Sequence, residues 1–329
     1  MPESTRKVLI VGLGAAGLGH AKALEAFDET TVIAGIDTDT SRALMFREHR
    51  VAVYPGVFDA ISDQLDPSVV IIATPTPTHA RVCNEIAEYF PKAAILLEKP
   101  AADNRNDAQR IIEGVGSKQT VDIAYHMAYS PEVIWALEQA HERTDQLGWP
   151  IAIESWHADP YQPELASAKA RLGTSWVDSG INAMSVIERF AKITKRTSLR
   201  QIGEAGRSEF EGTFSCATSH GDLTAIVLTS WYSTAPARTT RVKYSTGAEL
   251  VMNHAALAGY LLEGGTLSAN FGSDGTTPRL EARYKAMYKS WLAGHEQGFS
   301  KDTSLRLHKL LLEPPRARRS TGAAAHGVA

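Results

Sequence analysis

The stretch GLGAAG, residues 12–17, constrains the fold of this chain more than any other feature. It has the spacing G-x-G-x-x-G, it ends an apolar run, KVLIVG, and it opens a run rich in helix formers. In that setting the first glycine makes a tight turn, the second lets a pyrophosphate approach the backbone, and the third lets the helix pack on the strand. We therefore predict a dinucleotide-binding βαβ unit. The predicted cofactor contacts in this loop are Gly12, Gly14, Ala15, Ala16 and Gly17.

Asp37 lies at the end of the next predicted strand, TVIAGID (31–37). A carboxylate at this distance from the glycines accepts hydrogen bonds from ribose hydroxyls and repels a 2′-phosphate, which favours NAD over NADP. Arg42 is close enough along the chain to accommodate a phosphate, so NADP stays open. The alternative interpretation is that Asp37 is a turn residue of DTDTS.

The two halves of the chain follow different patterns. The first half alternates apolar strand-like runs with helix-like stretches, which is typical of a parallel sheet covered on both faces. From residue 150 onward, longer strand-like runs such as ELVMNHAALAGYL (249–261) follow one another with turn signals between them, as in an antiparallel sheet. We predict an α/β chain with a doubly wound Rossmann domain and an α+β domain that has a large, mostly antiparallel open sheet and serves substrate binding and oligomerisation. The predicted parts are residues 1–127, residues 128–315 and a disordered tail at 316–329.

Two motifs follow predicted strands of the first half. In ATPTPTHA (73–80), the prolines end a strand and shape a loop at the sheet edge where ligands of open α/β sheets bind. We predict that Thr74, Pro75 and Thr76 contact the cofactor there. In LEKP (97–100), a lysine stands at a strand's carboxyl end, and partial burial beside a positive nicotinamide would lower its pKa until it acts as a general base. The alternative is a surface lysine.

The stretch SWVDSGINAMS (175–185) places Asp178 and Asn182 four residues apart, on one face of a predicted helix. Such a pair is suited to holding a polar ligand. An amide does not exchange protons at neutral pH, so the base has to come from another residue.

Together, GLGAAG, ATPTPTH, LEKP and GTSWVDSGIN resemble the Gfo/Idh/MocA family of sugar and inositol dehydrogenases, over almost the whole chain. The resemblance implies that Glu98 and Lys99 belong to the cofactor site and that Lys99 also contacts the substrate. The family's helix motif usually reads D-x-G-x-H, with the histidine as catalytic acid/base. Asn182 stands in the place of that histidine.

The variant with asparagine resembles the branch that contains L-arabinose, D-galactose and D-xylose 1-dehydrogenases, as do YHMAYSPEV and EARYKAMYKSWL. That resemblance implies oxidation of an aldose at C1 to the aldonolactone. Our sequence-based hypothesis is that Lys99 accepts the O1 proton, that Asp178 holds Lys99 or a sugar hydroxyl, and that Asn182 donates to a sugar oxygen.

Other polar and aromatic residues are candidate substrate contacts. His126 ends the sixth predicted strand; the alternative is a hydrogen-bonded histidine at the domain junction. In ESWHADPYQPE, strand alternation puts Trp156 on one face and His157 on the other. Trp156 is a candidate sugar-stacking platform or a core residue. The predicted substrate contacts are Asn182, His126, His157 and Trp156.

Composition excludes several classes of partner. A net charge of −3 provides no basic surface for nucleic acid, and no run approaches the roughly 20 apolar residues of a membrane span. Two isolated cysteines indicate a reducing compartment, so we expect a cytoplasmic protein. The 11 histidines have no metal-binding spacing, so we predict no metal. We expect a small sugar or polyol substrate, and a homodimer or homotetramer formed through the open sheet.

Two alternative functions remain at this stage. One is a dehydrogenase or ketoreductase of a cyclitol or modified sugar with the same fold. The other is a non-catalytic NAD(P)-binding sensor or co-regulator, which the loss of the usual catalytic histidine at position 182 allows.

Overall fold

The computed structural model describes residues 5–39, 41–42, 46, 51–204, 207–293 and 299–314. Within these ranges the chain forms a parallel sheet followed by a larger, mixed sheet. The predicted tail at 316–329 lies outside the described residues, as does residue 315.

The first sheet has six strands in the order β3-β2-β1-β4-β5-β6, all parallel. Its central strands are apolar and buried along their length, as expected for a sheet covered on both faces. The predicted doubly wound arrangement is confirmed. The strands are β1 (Arg6–Val11), β2 (Thr30–Ile36), β3 (Ala52–Tyr54), β4 (Val69–Ile72), β5 (Ala94–Glu98) and β6 (Val121–Ala124).

Helices alternate with these strands along the chain. The first helix starts directly after the glycine loop, and short 3₁₀ turns at Thr76–Thr78 and His126–Tyr129 follow β4 and β6. The helices are α1 (Ala15–Leu24), α2 (Val57–Ser62), α3 (His79–Tyr89) and α4 (Arg105–Gln109), which continues into a π-helical turn at Arg110–Gly114.

The second sheet has eight strands in the order β14-β13-β12-β11-β7-β10-β9-β8, antiparallel except where β7 pairs with β10. The strand that carries Trp156 and His157, β7, is therefore a central strand of this sheet. The strands are β7 (Pro150–Ala158), β8 (Lys192–Gln201), β9 (Glu209–Thr218), β10 (Gly221–Ser230), β11 (Ala237–Tyr244), β12 (Glu249–Asn253), β13 (Ala258–Glu263) and β14 (Thr266–Gly272).

The run 249–261 is two strands rather than one. The side chain of Asn253 accepts hydrogen bonds from the N–H groups of Ala255 and Ala256, at 3.1 Å each, and Leu257 has a φ of 50°. An asparagine that bonds the backbone two and three residues on favours a turn over a continuing strand.

Helices cover one face of the second sheet. The elements are α5 (Pro131–Glu142), α6 (Thr144–Leu147), α7 (Leu165–Leu172), α8 (Ser175–Phe190), α9 (Arg279–Leu292) and α10 (Lys301–Leu311). Helix α8 packs on β7 and β10, and α9 packs against α1 of the first domain. The opposite face of the sheet is open, as predicted. Among the described residues, no helix combines the length and apolar character that spanning a bilayer requires.

Candidate active site

The candidate site lies where the carboxyl end of β5 meets the first turn of α8. The Thr174 side chain caps α8 by accepting a hydrogen bond from the N–H of Val177, which places Asp178 in the first turn. Nζ of Lys99 donates to Oδ1 of Asp178 at 2.8 Å and to the Asp178 carbonyl oxygen at 3.3 Å. The two domains therefore share one nearly buried ion pair.

The charge of Lys99 differs from the prediction. Burial lowers the pKa of the Lys99 ammonium, but the carboxylates of Asp178 and Glu98 more than offset burial, so that this pKa is raised. Lys99 is therefore an ammonium group at neutral pH, and the predicted lowering of its pKa is wrong. An ammonium group donates hydrogen bonds to oxygen atoms and has no lone pair with which to accept a proton.

Asn182 lies one turn after Asp178 on the same face of α8, as the spacing predicts. Its Nδ2 makes a long contact of 3.4 Å to the Asp178 carbonyl oxygen. Its Oδ1 is buried and has no hydrogen-bond partner within the described ranges. Because an unpaired buried amide oxygen is costly, this atom is suited to accepting a hydrogen bond from a ligand hydroxyl.

Glu98, the last residue of β5, is buried in a polar cluster between the domains. Its Oε1 accepts from Tyr284 Oη at 2.5 Å and contacts His20 Nε2 at 3.0 Å. Burial raises the pKa of the Glu98 carboxyl, but the contact with His20 and nearby positive charges bring it down to about 2. This carboxylate fixes the strand end that carries Lys99. Sequence reasoning missed His20, which lies in no recognisable motif, and it assigned no role to Tyr284, although Tyr284 lies in EARYKAMYKSWL.

His126 begins the 3₁₀ turn after β6 and is only 5% exposed. Its ring meets Tyr284 edge-on, with 5.2 Å between centroids, and its buried Nδ1 has no partner in the described part of the chain. Burial holds the pKa of His126 well below the usual value, and the Lys99 charge lowers it further. His126 is therefore a neutral imidazole beside Lys99.

The two candidates on β7 lie on opposite faces of the sheet. His157 is fully buried on the inner face, and neither ring nitrogen has a partner among the described residues. Trp156 is 55% exposed on the outer face, away from Lys99 and Asp178. The prediction that Trp156 stacks on a substrate is therefore wrong, because the pleat turns it away from the helices that complete the site.

The glycine loop has the geometry of a phosphate cradle. A Cβ at Gly17 would lie 1.9 Å from the Gly12 carbonyl oxygen, and Gly12 has a φ of 94°. Among the described residues, a Cβ at Gly14 would meet only the Arg42 side chain, at 3.7 Å, so this part of the chain leaves space beside Gly14. No side chain in the described part of the chain caps α1, which leaves the N–H groups of its first turn, at Ala15 and Ala16, available to a phosphate.

A cleft of about 390 Å³ runs along this loop, lined by Gly12, Asp37, Thr74 and Pro75 among others. Asp37 accepts a hydrogen bond from the N–H of Leu13 at 2.8 Å and another from Asp39 at 2.8 Å. It therefore holds the glycine loop and also borders the cleft. The open cradle, the uncapped helix and this carboxylate fit a dinucleotide such as NAD.

Thr76 does not line that cleft. It is buried at the start of the 3₁₀ turn before α3. His79 follows this turn and joins two loops: its Nε2 lies 2.8 Å from the Thr74 carbonyl oxygen, and its Nδ1 lies 3.1 Å from that of Pro100.

Further charged residues border the site, and sequence analysis assigned them no role. Asp159, just after β7, accepts from Arg238 of β11 at 2.6 and 2.9 Å and from Ser179 of α8 at 3.0 Å. Only folding brings these three segments together. Within the described ranges, no cluster of three or more His, Cys, Asp or Glu residues has the arrangement of a metal site.

Comparison with known proteins identifies the first domain. Residues 6–126 match the family model GFO_IDH_MocA, described as an oxidoreductase family with an NAD-binding Rossmann fold. No curated protein sequence matches the chain.

Several solved structures share the whole fold. An oxidoreductase from Agrobacterium radiobacter, in complex with NAD+, L-tartaric acid and magnesium, is 14% identical, with a TM-score of 0.75 and 94% of each chain covered. A putative myo-inositol dehydrogenase from Sinorhizobium meliloti is 20% identical, with a TM-score of 0.71 and coverage of 93% of this chain and 95% of that one. UDP-N-acetylglucosamine 3-dehydrogenase GnnA from Acidithiobacillus ferrooxidans is 19% identical, with a TM-score of 0.72 and the same coverage. At these identities the likeness shows a shared fold.

We expect different effects from alanine substitutions at Gly14, which precedes α1, and at Gly17, which lies inside it. Gly14→Ala should leave the melting temperature nearly unchanged and weaken NAD binding about tenfold or more, because its methyl group would occupy the open cradle. Gly17→Ala should lower the melting temperature, because its methyl group would collide with the Gly12 carbonyl oxygen. Calorimetric titration with NAD and thermal unfolding measure the two effects. Tight NAD binding by Gly14→Ala would show that the cradle is not the phosphate site.

Proposed function

We propose that this chain, whose residues 6–126 match the GFO_IDH_MocA family model, is a member of that oxidoreductase family and an NAD-dependent dehydrogenase that oxidises an aldose at C1 to the aldonolactone. The observation that carries the proposal is the Lys99–Asp178 ion pair, 2.8 Å long, at the carboxyl end of β5. Asn182 lies one helical turn after Asp178, and its Oδ1 has no hydrogen-bond partner among the described residues. The pair lies at the sheet edge where ligands of Rossmann folds bind.

The charge states of the pair assign its roles. NAD, when bound, supplies hydride acceptance at its nicotinamide ring. Lys99, as an ammonium, donates to the reacting oxygen and stabilises the negative charge that develops there. The second carboxylate oxygen of Asp178 has no partner among the described residues, and it accepts the hydroxyl proton. Asp178 thereby takes the proton that sequence reasoning gave to Lys99.

An anomeric hydroxyl suits this arrangement. It is more acidic than an ordinary alcohol, so a carboxylate assisted by an ammonium group is a sufficient base. The unpaired Oδ1 of Asn182 accepts from a neighbouring sugar hydroxyl, and the neutral His126 offers a further contact at the same edge. These side chains hold the ring in one orientation while Asp178 moves the proton.

A second candidate reaction is oxidation of a ring hydroxyl at another carbon of a cyclitol or modified sugar. Two solved structures with this fold favour it, since they are described as a putative myo-inositol dehydrogenase and a UDP-N-acetylglucosamine 3-dehydrogenase. The same ion pair serves either reaction, because both remove one hydroxyl proton.

A panel of aldoses, cyclitols and amino sugars, assayed with NAD and with NADP, tests the proposal. We expect NADH formation with an aldose and a lactone as the product. A ketone would support the second reaction. NAD binding without any turnover would contradict both and favour the non-catalytic sensor.

Lys99→Met should lower turnover by about 10²–10⁴-fold, because the reacting oxygen loses its cationic partner. The change leaves Asp178 buried without its partner, so thermal unfolding has to be measured alongside activity. Lys243→Met is the matched control: Lys243 forms a 2.7 Å pair with Glu154 on the outer face of the sheet. Near-normal turnover in a folded Lys99→Met protein would rule out the role of Lys99.

The proposed enzyme is a homodimer or homotetramer that pairs through the open sheet. Trp156, Tyr260 and Leu267 are exposed by 55%, 36% and 53%. Aromatic and aliphatic side chains of this size on one open sheet favour burial against a second copy. Light scattering of the purified chain measures the assembly, and a monomeric mass would contradict it.

A further inference from the structure

Arg279, the first residue of α9, is a half-buried cation without an acidic partner. Its only hydrogen bond to a described residue runs from NH1 to the Ala255 carbonyl oxygen, at a long 3.4 Å. No carboxylate of the described residues forms an ion pair with it. A half-buried guanidinium has lost part of its hydration, and one weak contact to a neutral carbonyl does not replace it.

The neighbouring cations are paired. Arg238 donates twice to Asp159, and Lys99 donates to Asp178. The two pairs are linked through α8, because Ser179, next to Asp178, also donates to Asp159. Arg238 and Lys99 keep 14% and 12% of their side chains exposed, so neither is fully enclosed by protein.

Arg279 belongs to the same charged region. Burial lowers the pKa of Arg279 and the nearby Arg238 charge lowers it further, whereas Asp159, Glu132 and Tyr161 act in the opposite direction. Burial raises the pKa of Tyr161, the charges of Asp178 and Asp159 raise it further, and those of Arg238 and Lys99 lower it. Contacts also place Arg279 in this region: Ala255, whose carbonyl oxygen it contacts, follows His254, and the N–H of His254 donates to the Arg238 carbonyl oxygen at 2.8 Å. Tyr284, farther along the same helix, donates to Glu98, the residue before Lys99. Arg279 and Arg238 therefore lie in one region, where their like charges repel each other. A bound anion relieves that repulsion.

We propose that the substrate is an acidic sugar, a uronic acid, whose carboxylate binds Arg279 while its C1 hydroxyl lies at Lys99 and Asp178. This inference rests on the proposed function and adds the substrate class. In the reaction the C1–H bond breaks with its electron pair passing to NAD+, the hydroxyl proton goes to Asp178, and a C1 carbonyl forms. The carboxylate is unchanged, so the product is the lactone of an aldaric acid.

A carboxylate fits better than a phosphate. One guanidinium without a partner matches one single negative charge, and its planar fork matches the two oxygens of a carboxylate. A phosphate carries close to two charges and three oxygens, and Arg238 is already committed to Asp159.

Sugars that differ only at C6 test the proposal. We expect kcat/KM to be at least about tenfold higher for D-galacturonate than for D-galactose, and for D-glucuronate than for D-glucose. Arg279→Gln should reduce this acid-to-neutral ratio by about 10- to 100-fold, and Arg279→Lys should restore part of it. The control is Arg110→Gln, since Arg110 is 65% exposed beside Asp107 on the first domain. An unchanged ratio in Arg279→Gln would overturn the inference, as would a preference for galactose 6-phosphate.

Binding without turnover separates this inference from the proposed function. D-galacturonate should raise the melting temperature of the unmodified chain and have a weaker effect on Arg279→Gln. If no sugar is oxidised at C1 but this Arg279-dependent shift is seen, the acid site stands and the C1 reaction is wrong. If neutral aldoses are oxidised and galacturonate produces no shift, the C1 reaction stands and the acid site is wrong.

Discussion

The ion pair between Lys99 and Asp178 is the contact on which the arrangement of the site depends, because the two domains meet there through opposite, nearly buried charges. Removing one partner of such a pair leaves the other charge buried and costs about 3–5 kcal/mol. The ion pair therefore holds the two domains together, and the contact between the domains keeps both side chains charged. In the proposed reaction the same contact assigns the roles, because it keeps the amine protonated and leaves the carboxylate as the base.

The end of β5 is held from several sides. Glu98 is fixed by His20 of α1 and Tyr284 of α9. One residue beyond Pro100, the N–H of Ala101 donates to Nε2 of His308 on α10, at 2.9 Å. Burial lowers the pKa of His308 to about 4, so this nitrogen stays an acceptor at neutral pH. Lys99 is thus presented by backbone that has little freedom, which a site requires when it orients one oxygen.

Polar groups without partners surround the pair. The oxygen of Asn182, Nδ1 of His126 and both nitrogens of His157 are buried and unpaired within the described residues. Folded proteins rarely leave so many such atoms together, because each one costs free energy. Their grouping beside an ion pair is typical of a site that a polyhydroxylated ligand completes. In the proposed acid site, the positive charge of Arg279 joins these hydrogen-bonding groups.

The sequence by itself determined the first domain and part of the site. The glycine spacing needs close backbone approaches that few folds supply, and the alternation of apolar strands with helices favours a parallel sheet. The four-residue spacing put Asp178 and Asn182 on one helix face, since helix geometry is local. Tertiary structure decided the rest. The charge of Lys99 depends on Asp178, a partner 79 residues away. Whether Trp156 faces the solvent or the core depends on which side of the sheet the helices cover. Arg238, Arg279 and His20 carry no local signal at all, because their roles arise only where separate elements pack together.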